Sequence, residues 1–273
     1  MAAENTSQKH AVVTGANKGI GLEVCRQLAS KGITVVLTAR DERRGLEAVE
    51  KLKKNPEGFL VNNAAILGAT VDRDAFRDAI EALRNGADRT KINWNTIATM
   101  TYDLAVEALQ TNYYGAKRTT EALLPFLQSS PSPRIVNVSS SMGKLKNIPN
   151  EWAKGVLRDA ENLTEERIDQ VLNEFLKSLK EGSSEAQGWP QYLGAYILSK
   201  AAMCAYTRII AAKYPTFRIN CLCPGFVSTD MNFNEGTITT EEGAEGPVML
   251  AMVPDDGPSG LFFYRKEVST YEE

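Results

Sequence analysis

Ala11 to Thr14 is a short apolar run that leads straight into Thr14-Gly15-Ala16-Asn17-Lys18-Gly19-Ile20-Gly21, and Leu22 to Leu28 then carries a helical pattern. Glycines at a strand-to-helix turn let backbone approach a pyrophosphate closely, while the helix behind them offers free N–H groups and the positive end of its dipole. Glycines alone would be weak evidence, because turns collect them for conformational reasons. The order strand, glycine loop, helix is what constrains the fold. It reads as the first unit of a nucleotide-binding α/β sheet.

The rest of the chain repeats that rhythm. β-Branched runs at Ala11 to Thr14, Ile33 to Thr38, Phe59 to Asn62, Arg134 to Val138 and Arg218 to Cys223 alternate with helical patterns, and Gly260 to Phe263 can add an edge strand. Alternation of this kind predicts an α/β fold with a doubly wound, mostly parallel sheet of Rossmann type. The runs are nearly continuous in Val, Ile and Leu, as strands buried on both faces require. No internal repeat or linker divides the chain, so residues 1–273 read as a single domain. Between Ser141 and Tyr196 lies a helical insertion, at about 144–190, whose best helix follows Thr164 as N-cap, with Glu165 and Glu166 favouring the dipole. Ile168, Val171, Leu172, Phe175, Leu176 and Leu179 follow helical spacing and Gly182 ends it, which describes an amphipathic helix lying on the domain surface.

Composition removes several classes of function. With 43% apolar and 24% charged residues the chain is that of an ordinary globular protein, and its net charge of −3 offers no basic field for nucleic acid. Met1 to His10 is polar, and no stretch approaches the roughly 20 apolar residues that span a bilayer, so a cytoplasmic protein without membrane contact is expected. Cys25, Cys204, Cys221 and Cys223 lack the paired spacing of a zinc site, and His10 is the single histidine. No metal site and no Ser-His-Asp triad is expected.

Two further features carry chemistry. Where an acidic residue would bond the adenosine ribose of NAD, after the second strand, the chain has Arg40. A guanidinium there favours a 2′-phosphate, and Lys18 in the loop can add a second positive charge, so NADP (NADPH) is the expected cofactor. Tyr196 and Lys200 stand four residues apart, which on a helix places phenol and ammonium on one face. A neighbouring cation stabilises phenolate and lowers the tyrosine pKa, so the pair can exchange a proton with substrate.

The glycine loop, the Asn62-Asn63-Ala64-Ala65 run, the strand ending in Ser139-Ser140, the Tyr196/Lys200 pair and the Pro224-Gly225 turn together resemble the short-chain dehydrogenase/reductase family across nearly the whole chain. The insertion and the run Asn150-Glu151-Trp152-Ala153-Lys154-Gly155 resemble its monomeric, carbonyl-reductase-like plant branch. The resemblance implies that Tyr196 donates a proton to a carbonyl, that Lys200 lowers its pKa and bonds the nicotinamide ribose, and that Ser140, in a Ser-x-x-Gly pattern, holds the carbonyl oxygen. It implies that Asn112 orients a water in the proton relay. Gly15, Asn17, Lys18, Gly19, Ile20 and Gly21 would hold the diphosphate, Asn63 and Ala64 the adenosine side. Pro224, Gly225, Val227 and Thr229 would line the nicotinamide, with Thr229 near the diphosphate or carboxamide. A monomeric reductase of a small-molecule carbonyl substrate is the expectation.

One segment departs from the pattern. Between Arg40 and Asn62 there is room for a helix, Glu42 to Lys54, and a short connection, Asn55-Pro56-Glu57-Gly58, where the family fits a further strand, an Asp-Val turn and another helix. The sheet is therefore expected to be one edge strand short, and a catalytically impaired or non-catalytic truncated paralogue stands as the alternative function.

Overall fold

The computed structural model describes residues 9–38 and 58–273. The strands are β1 (His10–Val13), β2 (Thr34–Leu37), β3 (Gly58–Asn62), β4 (Thr70–Val71), β5 (Ala98–Thr99), β6 (Arg134–Val138), β7 (Arg218–Cys223), β8 (Phe262–Tyr264) and β9 (Glu267–Ser269). The helices are α1 (Gly19–Ser30), α2 (Arg73–Arg84), α3 (Tyr102–Leu109), α4 (Gly115–Gln128), α5 (Glu151–Arg158), α6 (Glu165–Lys180), α7 (Gly194–Lys213) and α8 (Thr240–Ala251). The main sheet has the order β2-β1-β3-β6-β7-β8-β9, parallel throughout except for the β8–β9 hairpin. The chain steps outward from β1 to β2, returns across it to β3, and continues away on the other side. This is the doubly wound topology expected, with its switch point between β1 and β3.

The continuous apolar runs are explained by what covers each face. Ala11, Val13, Phe59, Val61, Val136, Val138 and Leu222 point to one side, against Val24 and Leu28 of α1 and Val248 and Leu250 of α8. Their strand neighbours Val12, Leu60, Ile135, Ile219 and Cys221 point to the other, against Leu109, Leu123 and Leu198 of α3, α4 and α7. Burying each such side chain is worth about 1.5–3 kcal/mol, so either face of the sheet would be costly to expose.

Helix α6 forms as its sequence dictates: the Thr164 hydroxyl accepts from Arg167 N at 3.3 Å, and Gly182 follows it with φ of 69°. Ile168, Val171, Leu172 and Phe175 are buried in the same core as α3 and α7, while Leu176 and Leu179 are only partly covered. Trp189 packs edge-on to Phe175 and its indole N–H donates to Ser178 Oγ at 3.0 Å. The sequence did not announce α5, the small β4–β5 sheet or the β9 return strand; each is too short for periodicity to register.

The Glu42 to Lys54 helix and Arg40 lie outside the described residues. Among the described residues β2 is the outermost strand on its side. None of their helices is long and apolar enough to cross a membrane.

Candidate active site

The glycine loop is shaped by contact with the end of β3. Gly15 and Gly19 have φ of 61° and 57°, a region that side chains disfavour. A methyl on Gly15 would sit 2.7 Å from Ala64 Cα, and one on Gly21 2.5 Å from Asn63 Nδ2, so neither has room for a side chain. Thr14 Oγ1 accepts from the amides of Asn63 at 2.9 Å and Ala64 at 3.0 Å, and Asn63 Nδ2 donates back to the carbonyls of Thr14 and Gly15 at 3.0 and 3.2 Å. The Asn63 side chain and the Ala64 amide thus clamp the loop. Thr14 belongs to this machinery and was missed by motif reading, since a threonine at a strand end is unremarkable.

Helix α1 starts behind the loop without a side-chain cap at Lys18, so its first N–H groups are free to meet an anion. The loop opens on a cleft of about 1180 Å³ that is also lined by Asn63, Ala64, Ser139, Tyr196, Lys200, Pro224 and Thr229. Gly15, Asn17, Lys18, Gly19 and Ile20 line its near end. A cleft of this volume, lined by a helix N-terminus whose cap residue makes no side-chain bond and by a phenol, has room for a dinucleotide. Lys18 is not a free cation here: its ammonium pairs with Asp230 Oδ2 at 2.7 Å, a contact that spans the cleft mouth and leaves both side chains about two-thirds exposed. Gly225, with φ of 95°, and buried Val227 shape the turn from behind and do not line the cleft. Gly21 also sits behind the loop rather than on the cleft wall.

The other end of the cleft is organised by α7. Leu193, in a left-handed conformation at φ of 50°, turns the chain into the helix, and Tyr196 falls in its first turn. Of the three consecutive serines after β6, Ser140 is the one whose hydroxyl lies close enough to the Tyr196 phenol to favour its phenolate, while it accepts from Met142 N at 3.2 Å. Ser139 Oγ is turned to the Lys200 carbonyl at 3.0 Å, and Ser141 Oγ to Cys223 Sγ at 3.0 Å. Lys200 is 2% exposed; its ammonium donates to Val138 O at 2.8 Å and lies 5.6 Å from the Tyr196 ring centre.

Electrostatics here follow burial. Tyr196 keeps some surface open to the cleft, but the surrounding protein disfavours phenolate and pushes its pKa up to about 12, with Ser140 pulling the other way. Burial likewise lowers Lys200 to about 8. The expectation that Lys200 lowers the tyrosine pKa therefore does not describe this state. Desolvation is the largest influence on the phenol, and the Lys200 ammonium is turned to the Val138 carbonyl.

Asn112 sits in a π-helical turn, Gln110–Tyr114, between α3 and α4, the kind of irregularity that recurs at functional sites. Its amide exchanges two hydrogen bonds with Ile66, accepting at 2.8 Å and donating at 2.9 Å, and donates to Ser199 Oγ at 2.9 Å. Ser199 in turn donates to Tyr196 O at 2.8 Å. Asn112 thus reaches α7 next to Lys200 rather than at its ammonium.

The family profile for short chain dehydrogenase matches residues 9–151. The chain is 52% identical to (+)-neomenthol dehydrogenase of Arabidopsis thaliana over 303 aligned positions, covering 98% of this chain and 100% of that protein. The chain belongs to the short chain dehydrogenase family. It is 36% identical to carbonyl reductase (NADPH) 1 of Bos taurus, covering 94% of this chain and 96% of that one. The solved structure of salutaridine reductase from Papaver somniferum superposes with a TM-score of 0.82 at 46% identity, covering 94% of this chain and 99% of that one. The family and its plant branch are those the motifs resemble. The chain is accordingly an oxidoreductase of a family that works with a nicotinamide cofactor.

Proposed function

We propose that the protein reduces a small hydrophobic ketone or aldehyde with NADPH, or runs the reverse alcohol oxidation. The observation that carries this is the approach of Ser140 to Tyr196, beside Lys200, where Tyr196 and Lys200 line the same cleft as the glycine loop. A reduced nicotinamide, when bound, supplies hydride to the carbonyl carbon. The Ser140 hydroxyl holds the carbonyl oxygen and Tyr196 hands it a proton. A phenol whose pKa is near 12 keeps that proton until negative charge builds on the substrate oxygen, which is when the transfer becomes favourable. Lys200 holds the ribose and keeps positive charge beside the phenol.

The free amides of α1 hold the diphosphate, Arg40 and Lys18 the 2′-phosphate, and the Pro224 to Thr229 turn the nicotinamide. Lys18 must leave Asp230 to take that part. The name of the bovine relative, which specifies NADPH, supports the cofactor choice. The protein works as a monomer, because α6 covers apolar surface of α3 and α7 that would otherwise be open to a second copy. Titration with NADPH followed by assay on menthone, the ketone that corresponds to neomenthol, tests the reading. Binding with turnover is expected; a chain that neither binds NADPH nor reduces any carbonyl is the impaired paralogue instead.

A further inference from the structure

Tyr271 is 8% exposed although Thr270, Glu272 and Glu273 around it are all exposed. We propose that it is a positioning residue for the Ser140, Tyr196 and Lys200 site, a strap that sets the spacing between the turn after β6 and helix α7; the proposal rests on the reductase reading above.

Tyr271 touches both segments that carry the site. Its hydroxyl donates to the carbonyl of Ala201, the residue after Lys200, at 3.2 Å. Its own carbonyl accepts from Leu145 N at 3.0 Å, and the Glu272 carbonyl accepts from Lys146 N at 3.1 Å. Leu145 and Lys146 directly follow the turn that begins at Ser140 and closes with Gly143 N donating to Ser140 O at 2.9 Å. One residue therefore ties the serine turn to the tyrosine helix.

The two segments meet face to face at a point with no slack. A methyl on Gly143 would stand 2.7 Å from the backbone carbon of Lys200 and 2.9 Å from Ala201 N, so this turn packs directly on the helix backbone. Contact at Gly143 limits how near the segments come, and Tyr271 limits how far they part. The strap is itself held. The Arg208 guanidinium lies 4.8 Å from the Tyr271 ring centre and donates to the carbonyls of Leu157 and Arg158, and Arg158 pairs with Glu272 at 3.3 Å. Ordering an otherwise exposed segment costs conformational entropy, which the buried ring, its stacked cation and these bonds offset. Proton transfer is sensitive to displacements of about 1 Å, so loosening this spacing acts on rate before it acts on cofactor binding.

The test compares Tyr271→Ala and Tyr271→Phe with the full-length protein, using NADPH and menthone, together with hydrogen exchange of the backbone amides. Tyr271→Ala is expected to lose about tenfold in kcat with KM for NADPH within about twofold, and to lose amide protection in the turn after Ser140 and in the middle of α7. Tyr271→Phe, which keeps the ring and the backbone bonds but loses the hydroxyl's bond to Ala201, is expected to fall between the alanine variant and the full-length protein in kcat. Should the alanine variant not fold, Tyr271→Leu keeps apolar volume and is expected to lose about threefold in kcat. A wild-type kcat in the alanine or leucine variant overturns the proposal, as does a lowered melting temperature with no change in kcat. If the wild-type protein reduces no carbonyl, the reductase reading fails by itself; the exchange data then decide the strap, and unchanged protection at both segments sinks it.

Discussion

Strands β6 and β7, which lead to Ser139 and Pro224, are buried at nearly every position, whereas β2, which leads toward Arg40, buries only Val36 and leaves Leu37 39% exposed. The residues at the tyrosine end are thus held by interior packing: Lys200 at 2% exposure, Asn112 at none. Lys18, at the glycine loop, is held by an exposed ion pair. Interiors pack at crystal-like density and resist displacement, while an exposed pair is worth at most about 1 kcal/mol and is screened by salt. Changes at the packed end should therefore alter rate with little effect on binding, and changes at the open end should do the reverse.

The largest effect is expected at Tyr196. Tyr196→Phe should lower kcat by roughly 10²–10⁴-fold, because it removes the proton donor, while NADPH binding stays within about twofold. Parallel loss of binding and turnover would erase the contrast between the two ends. Arg40→Asp should weaken NADPH binding about tenfold or more and narrow its gap to NADH, since a repelling charge replaces a phosphate partner. Calorimetric titration with both nucleotides reads this, and an unchanged ratio would reduce Arg40 to a surface residue. Lys18→Ala should cost only a few-fold in NADPH affinity, because the ammonium must first give up Asp230.

The smallest effect is one of pH. Burial lowers Lys200 from 10.5 to about 8, so its positive charge is lost as pH rises through about 8, and a pH–rate profile for menthone reduction should fall there. A profile flat across that region would show that the ammonium is not needed in its charged form. Stability moves oppositely for the two groups. Between about 8 and 10.5 the unfolded lysine still binds the proton that the folded one has released, so this group's contribution rises with pH. Tyr196 is raised from 10.0 to about 12, so between those values the folded chain keeps a proton that the unfolded chain has lost, and its contribution falls.

Much of the fold was legible because its signals are local. β6 and β7 coincide with the runs read from the sequence, and α6 runs from Glu165 after its Thr164 cap as expected. The glycine loop and the Tyr196/Lys200 spacing were equally plain, since a strand-loop-helix order and a four-residue interval on a helix need no knowledge of the rest of the chain. Thr14, Ser199 and Tyr271 escaped notice for the opposite reason. Each is an ordinary residue whose role comes from a partner far along the chain.

Periodicity, the glycine loop and residue type therefore determined the sheet, the cleft and which side chains could do chemistry there, because these depend on neighbours within a turn or a strand. Tertiary structure alone decided that Lys200 donates a hydrogen bond to the Val138 carbonyl, that Asn112 reaches Ser199 and that Tyr271 closes on Ala201, contacts between residues 62, 87 and 70 positions apart. It also decided the direction of the pKa shifts at Tyr196 and Lys200. Desolvation depends on how densely distant segments pack around a group, and no local pattern in a sequence encodes that density.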